Sequence, residues 1–267
     1  MRQLLAFLRR DWQIERTYRT ALLLQIAGVF FNAYLFYNLS RVVAGREIPA
    51  LQAYGGDYFA FLLIGVASTG YIQVGLHGPA RALRSAQVTG TLEAMLVTPA
   101  PLWVILAGSV MWDYVLTTLR LIIYLALGVI AFRLRLTGDQ YGPGAAALIL
   151  GATAYASIGF LIASAVMVAK RGESIGWLAN AAAQLIGGVY YPIEILPWWL
   201  QKLAGLIPVT YALRALRRAL LVHTPLDQLV PDLLALAGFC VILLPLSLGA
   251  FALAVRRARV EGTLAHY

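Results

Sequence analysis

Six apolar stretches, most of them near the length of about 20 residues that an α-helix needs to cross a hydrocarbon core, alternate along this chain with short polar, Arg-rich segments. They run from Ala21 to Ser40, Tyr58 to Gly78, Leu102 to Phe132, Gly144 to Ala169, Ile175 to Tyr190 and Leu233 to Val255. The fifth is the shortest. It continues into Tyr191–Val222, an apolar segment broken by Pro192, Pro197 and Pro208, which reads as a re-entrant or interfacial hairpin because proline interrupts a spanning helix. The pattern predicts an all-α polytopic membrane protein with six transmembrane helices.

Two further segments carry helical patterning without membrane length. In residues 1–19, Leu4, Leu5, Leu8 and Trp12 recur at helical spacing while Arg2, Arg9, Arg10 and Arg16 gather largely on the other side, the pattern of an interfacial helix. Asp11 and Glu15 intrude on the stripe. The second segment lies between the second and third spans, where Gly90-Thr-Leu-Glu-Ala-Met-Leu-Val-Thr-Pro99 predicts a helix of about two turns over 91–98. Thr91 caps it, Glu93 sits in the first turn where the helix dipole favours an acid, and Pro99 forces Thr98 out of the α region. A connection that only had to turn back would need a few polar residues. A capped helix there reads as a surface offered to a soluble partner.

Composition agrees with lipid as the solvent: 61% of the 267 residues are hydrophobic and 12% charged, against about 25% charged in soluble domains. Basic residues set the expected orientation. With the N-terminus cytoplasmic, 12 of the 21 Lys and Arg residues fall on the inner side, and the eight on the outer side are accompanied by Glu47, Asp57, Asp139, Glu194, Asp227 and Asp232. Both termini are therefore expected in the cytoplasm, and the net charge of +9 reads as a topology signal and an attraction to anionic lipid. Nucleic acid is not an expected partner, since no soluble basic domain is present to carry it.

Other chemistry is excluded by count and placement. Cys240 is the single cysteine, so neither an intrachain disulfide nor a multi-cysteine metal site forms, and His77, His223 and His266 are too dispersed for a shared metal. The Arg-rich start ahead of the first apolar run predicts no cleavable signal. No intramembrane His or carboxylate pair has the spacing for acid-base work. The chain is thus expected to have no catalytic residues and to bind no cofactor or metal.

The run Gly90-Thr-Leu-Glu-x-x-Leu96-x-Thr-Pro99 is followed about 90 residues later by Gly188-Val-Tyr-Tyr-Pro192-Ile-Glu-Ile-Leu-Pro197 and then Ile207-Pro208-Val-Thr-Tyr211-Ala-Leu-Arg214-Ala-Leu-Arg217. In order and spacing these resemble the ABC-2 type transporter permease family over essentially the whole chain. The resemblance implies one ABC-2 type transmembrane domain over 1–267, with an interfacial helix at 1–19, a cytoplasmic coupling helix at 91–98 and a re-entrant outer hairpin at 191–222. It implies a permease subunit of an ABC exporter in a bacterial plasma (inner) membrane. A second permease chain, identical or not, would pair with it, and a separate ATP-binding subunit, carrying ATP and Mg, would dock below. Gly90, Thr91, Leu92, Glu93, Leu96 and Pro99 would then couple to the ATPase. The chain itself has no phosphate-binding loop: Lys170 and Lys202 are its two lysines, and neither stands in Gly-x-x-x-x-Gly-Lys-Ser/Thr.

Intramembrane polar groups are the candidates for a pathway or interface. Asp113 and Arg120 lie seven residues apart on the third span, two turns and about 10 Å of rise, too far to meet easily. Each is expected to pair with another span or to line a pathway. Asn180 and Gln184, with Trp177 on the same side of the fifth span, are expected either to hydrogen-bond across a helix interface or, as the resemblance implies, to line a cavity with Phe30, Phe31, Tyr34 and Tyr37. Ala152, Ala156, Gly159 and Ala163 read as helix packing. In the hairpin, Pro192, Pro197, Trp198, Pro208 and Arg214 mark an expected lid on the exit path, with Arg214, Arg217 and Arg218 either snorkelling to lipid phosphates or guiding an anionic substrate. Drug-like or lipid-like amphiphiles are the expected substrates; polysaccharide or lipid-linked glycan export is the alternative within the family, and a non-transporting scaffold or enzyme the alternative outside it.

Overall fold

The computed structural model describes residues 9, 12, 13, 19–43, 48–90, 102–136, 139–169 and 173–260. Among these the chain is helical, with no strand. Within residues 19–260, the described segments form α1 (Arg19–Val43), α2 (Pro49–Gln52), α3 (Tyr58–Val88), α4 (Leu102–Phe132), α5 (Tyr141–Ala169), α6 (Glu173–Leu185), α7 (Trp198–Ala204), α8 (Pro208–Leu221) and α9 (Leu226–Val260), with a 3₁₀ turn at Ile193–Ile195. Five of them, α1, α3, α4, α5 and α9, are long and apolar enough to cross a membrane.

The fifth predicted span is shorter than its apolar run. α6 has 13 residues, about 20 Å of helix, and the chain then turns through Gly187 and Gly188, the latter at φ +81°. A side chain at Gly187 would strike Val209 Cγ1 at 2.2 Å, so the close approach of this turn to α8 requires glycine there.

Helix ends follow from local chemistry. Asp57 caps α3, its Oδ1 accepting the Phe59 and Ala60 amides at 2.8 and 3.3 Å, and Pro49 and Pro208 open α2 and α8 where a missing N–H costs nothing. α4 ends with Arg133 in the left-handed region at φ 55° while the Leu134 amide donates back to Gly128 O, a Schellman closure.

α3 is the central helix. In its most apolar stretch 72% of residues are buried, against 17% in α1 and in α4. It packs against α5 and α4, and more lightly against α1, α6 and α8; α5 packs in turn against α9 and α8. The α3–α5 crossing is set by backbone: Pro79 has no N–H to offer Gly75 O, and α5 brings Gly159 against that carbonyl, so that a methyl at Gly159 would lie 1.9 Å from it. Gly159 and Ala163 are thus packing residues, as their spacing suggests. Ala156 packs too, against the cluster of Leu83, Phe160, Phe251 and Val255, and with Ala152 it also lines a cleft of about 840 Å³ between α3, α4, α5 and α9.

Candidate functional site

Both charges of α4 meet other helices. Asp113 Oδ2 lies 3.4 Å from Arg81 Nη2 of α3, a half-exposed ion pair. Arg120 Nη2 donates to Gln25 Oε1 of α1 at 2.7 Å, a bond to a neutral amide. A charge at mid-span costs at least about 2.5–3.5 kcal/mol to insert, so the position of Arg120, about 15 Å along the helix from Val110, demands compensation. Sequence spacing signals that need; Gln25 and Arg81 as the answers depend on how the helices are registered.

The amides of α6 stay closer to home than expected. Gln184 Nε2 donates to Asn180 Oδ1 at 3.1 Å, and Tyr190 OH donates to Gln184 Oε1 at 2.7 Å, so among the described residues neither amide bonds directly across to another span. The turn after α6 folds Tyr190 back over the amide before another helix can reach it. Tyr190 makes the outward contacts instead: its ring stacks on Phe36 of α1 with centroids 6.4 Å apart, and its carbonyl accepts from Tyr58 OH of α3 at 3.3 Å.

The aromatic face of α1 is narrower than expected. Phe30, Phe31 and Tyr34 are exposed, but Tyr37 lies a turn round the helix and packs into the core between Phe59 (5.4 Å) and Phe132 (4.7 Å). Trp177 of α6 is exposed as well.

The expected hairpin at 191–222 is a 3₁₀ turn followed by two helices. Trp198 and Trp199 of α7 are exposed, while α8 buries most of its length against α5, α9 and α3. Thr210 Oγ1 donates to Ala204 O at 2.8 Å and Tyr211 OH to Gly205 O at 2.9 Å, fixing the turn between them around Pro208. Pro192 is buried and begins the 3₁₀ turn; Pro197 caps α7.

Two of the arginines of α8, Arg214 and Arg217, are held inside the protein rather than reaching for lipid. Arg217 is 3% exposed: its Nε donates to Phe61 O at 3.2 Å, Nη1 to Gly188 O at 2.7 Å and Nη2 to Val189 O at 2.8 Å, and the guanidinium lies 3.4 Å from the Phe61 ring centroid. Burial lowers its pKa from the ordinary guanidinium value. Arg214 forms a forked pair with the buried Asp232 carboxylate of α9, Nε at 2.9 and 3.0 Å from the two oxygens and Nη2 also on Oδ1. Both carboxylate and carbonyls lie in the protein, so snorkelling would abandon better partners. The sequence holds the signal: Arg217 stands within the apolar stripe Leu213, Leu216, Leu220 rather than opposite it.

Around this clamp, Tyr54 OH donates to Glu194 Oε1 at 3.3 Å, with burial pushing the phenol up to about 12, and Gln201 Nε2 donates to Glu194 O at 3.2 Å and Leu196 O at 2.8 Å. Tyr54, Glu194 and Gln201 are partners that sequence reading missed, joined across 140 positions for the first pair.

Of the expected coupling residues, Gly90 closes α3 at φ +67°, while Thr91, Leu92, Glu93, Leu96 and Pro99 lie outside the described residues. Most of the expected interfacial helix lies outside them too; within it, Trp12 meets Trp112 of α4 edge to face at 5.8 Å.

Residues 2–221 match the ABC-2 type transporter family profile. The chain belongs to the ABC-2 type transporter family. Similarity to curated proteins is more local: 27% identity over 122 residues to the "Probable multidrug ABC transporter permease YbhR" of Escherichia coli strain K12, and the same to that of E. coli O157:H7. The match takes in 46% of this chain and 33% of either relative, so the chain spans about a third of the length of the curated relatives it matches. As an ABC-2 family member with five membrane-length apolar helices among the described residues, it is a multi-pass membrane protein.

Proposed function

We propose that this chain is the permease subunit of an ATP-driven exporter for drug-like or lipid-like amphiphiles. The observation that carries the reading is the family match across residues 2–221. In this reading the protein crosses a bacterial inner membrane six times with both termini cytoplasmic, α6 and the turn after it forming the fifth crossing. A separate ATP-binding subunit, holding ATP and Mg, docks on residues 91–98, and a second permease chain completes the pathway. The amphiphile assignment draws support from the exposed aromatics Phe30, Phe31, Tyr34 and Trp177 and from the relatives' name. Segment 191–222, with its exposed Trp198 and Trp199, sits at the outer interface as the lid.

Glu93→Ala tests the coupling role. Purified with its ATP-binding subunit and reconstituted in liposomes, the variant is expected to insert and dimerise normally but to lose substrate-stimulated ATP hydrolysis and transport together. Wild-type stimulation and transport would refute docking at 91–98.

A further inference from the structure

Between α1, α3 and α4 lies a pocket of about 280 Å³ whose polar lining is unusual for mid-membrane: Gln25, Asn32, Thr69, Thr117 and Arg120, with Gly28 and Gly70 leaving it room. Two of the residues that line it each carry a buried side-chain atom without a partner, Thr117 Oγ1, on a residue 1% exposed, and Arg120 Nε. Buried donors and acceptors are nearly always satisfied, so two orphans on residues beside one cavity mark a place for a polar guest. The guest's sign follows from Arg120. Among the described residues its guanidinium meets no carboxylate, only the neutral Gln25, while Asp113 is engaged by Arg81. A cation in low dielectric with a free, buried N–H attracts an anion.

The same helix supplies a place for an apolar tail. On α1, Gln25 and Asn32 stand to one side of Gly28, and the exposed Leu24, Phe31 and Leu35 stand to the other at helical spacing, so the polar pocket and the apolar stripe meet at Gly28. A side chain added at Gly28 meets no atom within 4 Å. We propose that this pocket binds the anionic head of a single-chain amphiphile, Arg120 pairing with the charge, Gln25 orienting the guanidinium and Thr117 supplying a hydroxyl, while the tail lies along Leu24, Phe31 and Leu35. The proposal rests on the exporter reading for its claim that such amphiphiles are cargo; the binding site stands or falls separately.

The test uses the purified full chain in neutral detergent, without the ATP-binding subunit, and 11-(dansylamino)undecanoic acid as fluorescent probe, displaced by dodecanoate, dodecanol or dodecyltrimethylammonium. Dodecanoate is expected to displace the probe at concentrations at least about tenfold lower than either of the others, the factor that one charge-assisted hydrogen bond supplies. Arg120→Gln should bring dodecanoate and dodecanol level while dodecanol affinity holds; Arg120→Lys should keep the anion preference. Gly28→Leu should fill the pocket and weaken all three without touching the charge. A purely structural Arg120 would lower thermal stability in Arg120→Gln and leave the preference intact, which overturns the site. So would equal displacement by all three in the wild type. To separate a resident lipid from cargo, dodecanoate efflux is then measured in liposomes with the ATP-binding subunit: binding without ATP-driven efflux refutes the exporter reading and leaves the site.

Discussion

Replacing Arg217 by Leu removes a guanidinium that joins α8 to two other stretches of chain. Three carbonyls lose a donor, those of Phe61, Gly188 and Val189, at 3.2, 2.7 and 2.8 Å. Hydrogen bonds to charged groups contribute about 1.5–3 kcal/mol each, and a buried group left unsatisfied costs about 1–3 kcal/mol. The three share one guanidinium and do not add, so we expect a loss of about 3–5 kcal/mol, the range for removing one partner from a buried charged contact. Arg217→Lys keeps the charge but not the fork or the stacking on Phe61, and should fall between. Unfolding in mixed micelles of increasing SDS fraction, followed by tryptophan fluorescence, gives the free energies. Lys202→Ala is the control, an exposed ammonium 4.9 Å over the Trp198 ring, expected to cost less than about 1 kcal/mol. A Leu variant within about 1 kcal/mol of wild type would refute the clamp.

Two further outcomes are expected by the same assay. Gly159→Ala places a methyl 1.9 Å from Gly75 O and should destabilise by about 1–3 kcal/mol or prevent assembly, whereas Gly238→Ala in α9, with open space around it, should be neutral or stabilising; equal effects would refute the backbone contact at the α3–α5 crossing. Asp232→Ala strands Arg214 and should cost about 3–5 kcal/mol, while the double variant Arg214→Met with Asp232→Leu should recover most of it, and a double variant no better than the single would sink the buried-pair account.

The long helices are legible because hydrophobic length alone decides them: the third predicted span, Leu102 to Phe132, coincides with α4. α6 is not, because apolarity continues past Leu185 while the backbone stops at Gly187 and Gly188, and only the contact with Val209 reveals why it must. The charges divide similarly. That Asp113 and Arg120 need partners follows from their surroundings in one helix; which partners follows from the register of α1 and α3 against α4. Arg214, Arg217 and Arg218 read as a lipid-seeking face since three cations at helical spacing normally are one. Two of the carbonyls that hold Arg217, those of Gly188 and Val189, are presented to it only once the Gly188 turn has formed, and no local pattern announces that.

α3 runs without interruption for 31 residues, about 46 Å, from Tyr58 to Val88, and Pro79 does not break it. At one extremity the chain leaves through Gly90 towards residues 91–98; at the other, Arg217 grips Phe61, Gly188 and Val189 together. A single stiff member thus joins the two ends like a connecting rod, and if residues 91–98 receive the proposed partner's push, it would carry that push to segment 186–221. Position 217 would then be the clutch of the machine, since its guanidinium is the side chain that fastens the far end of the rod to that segment.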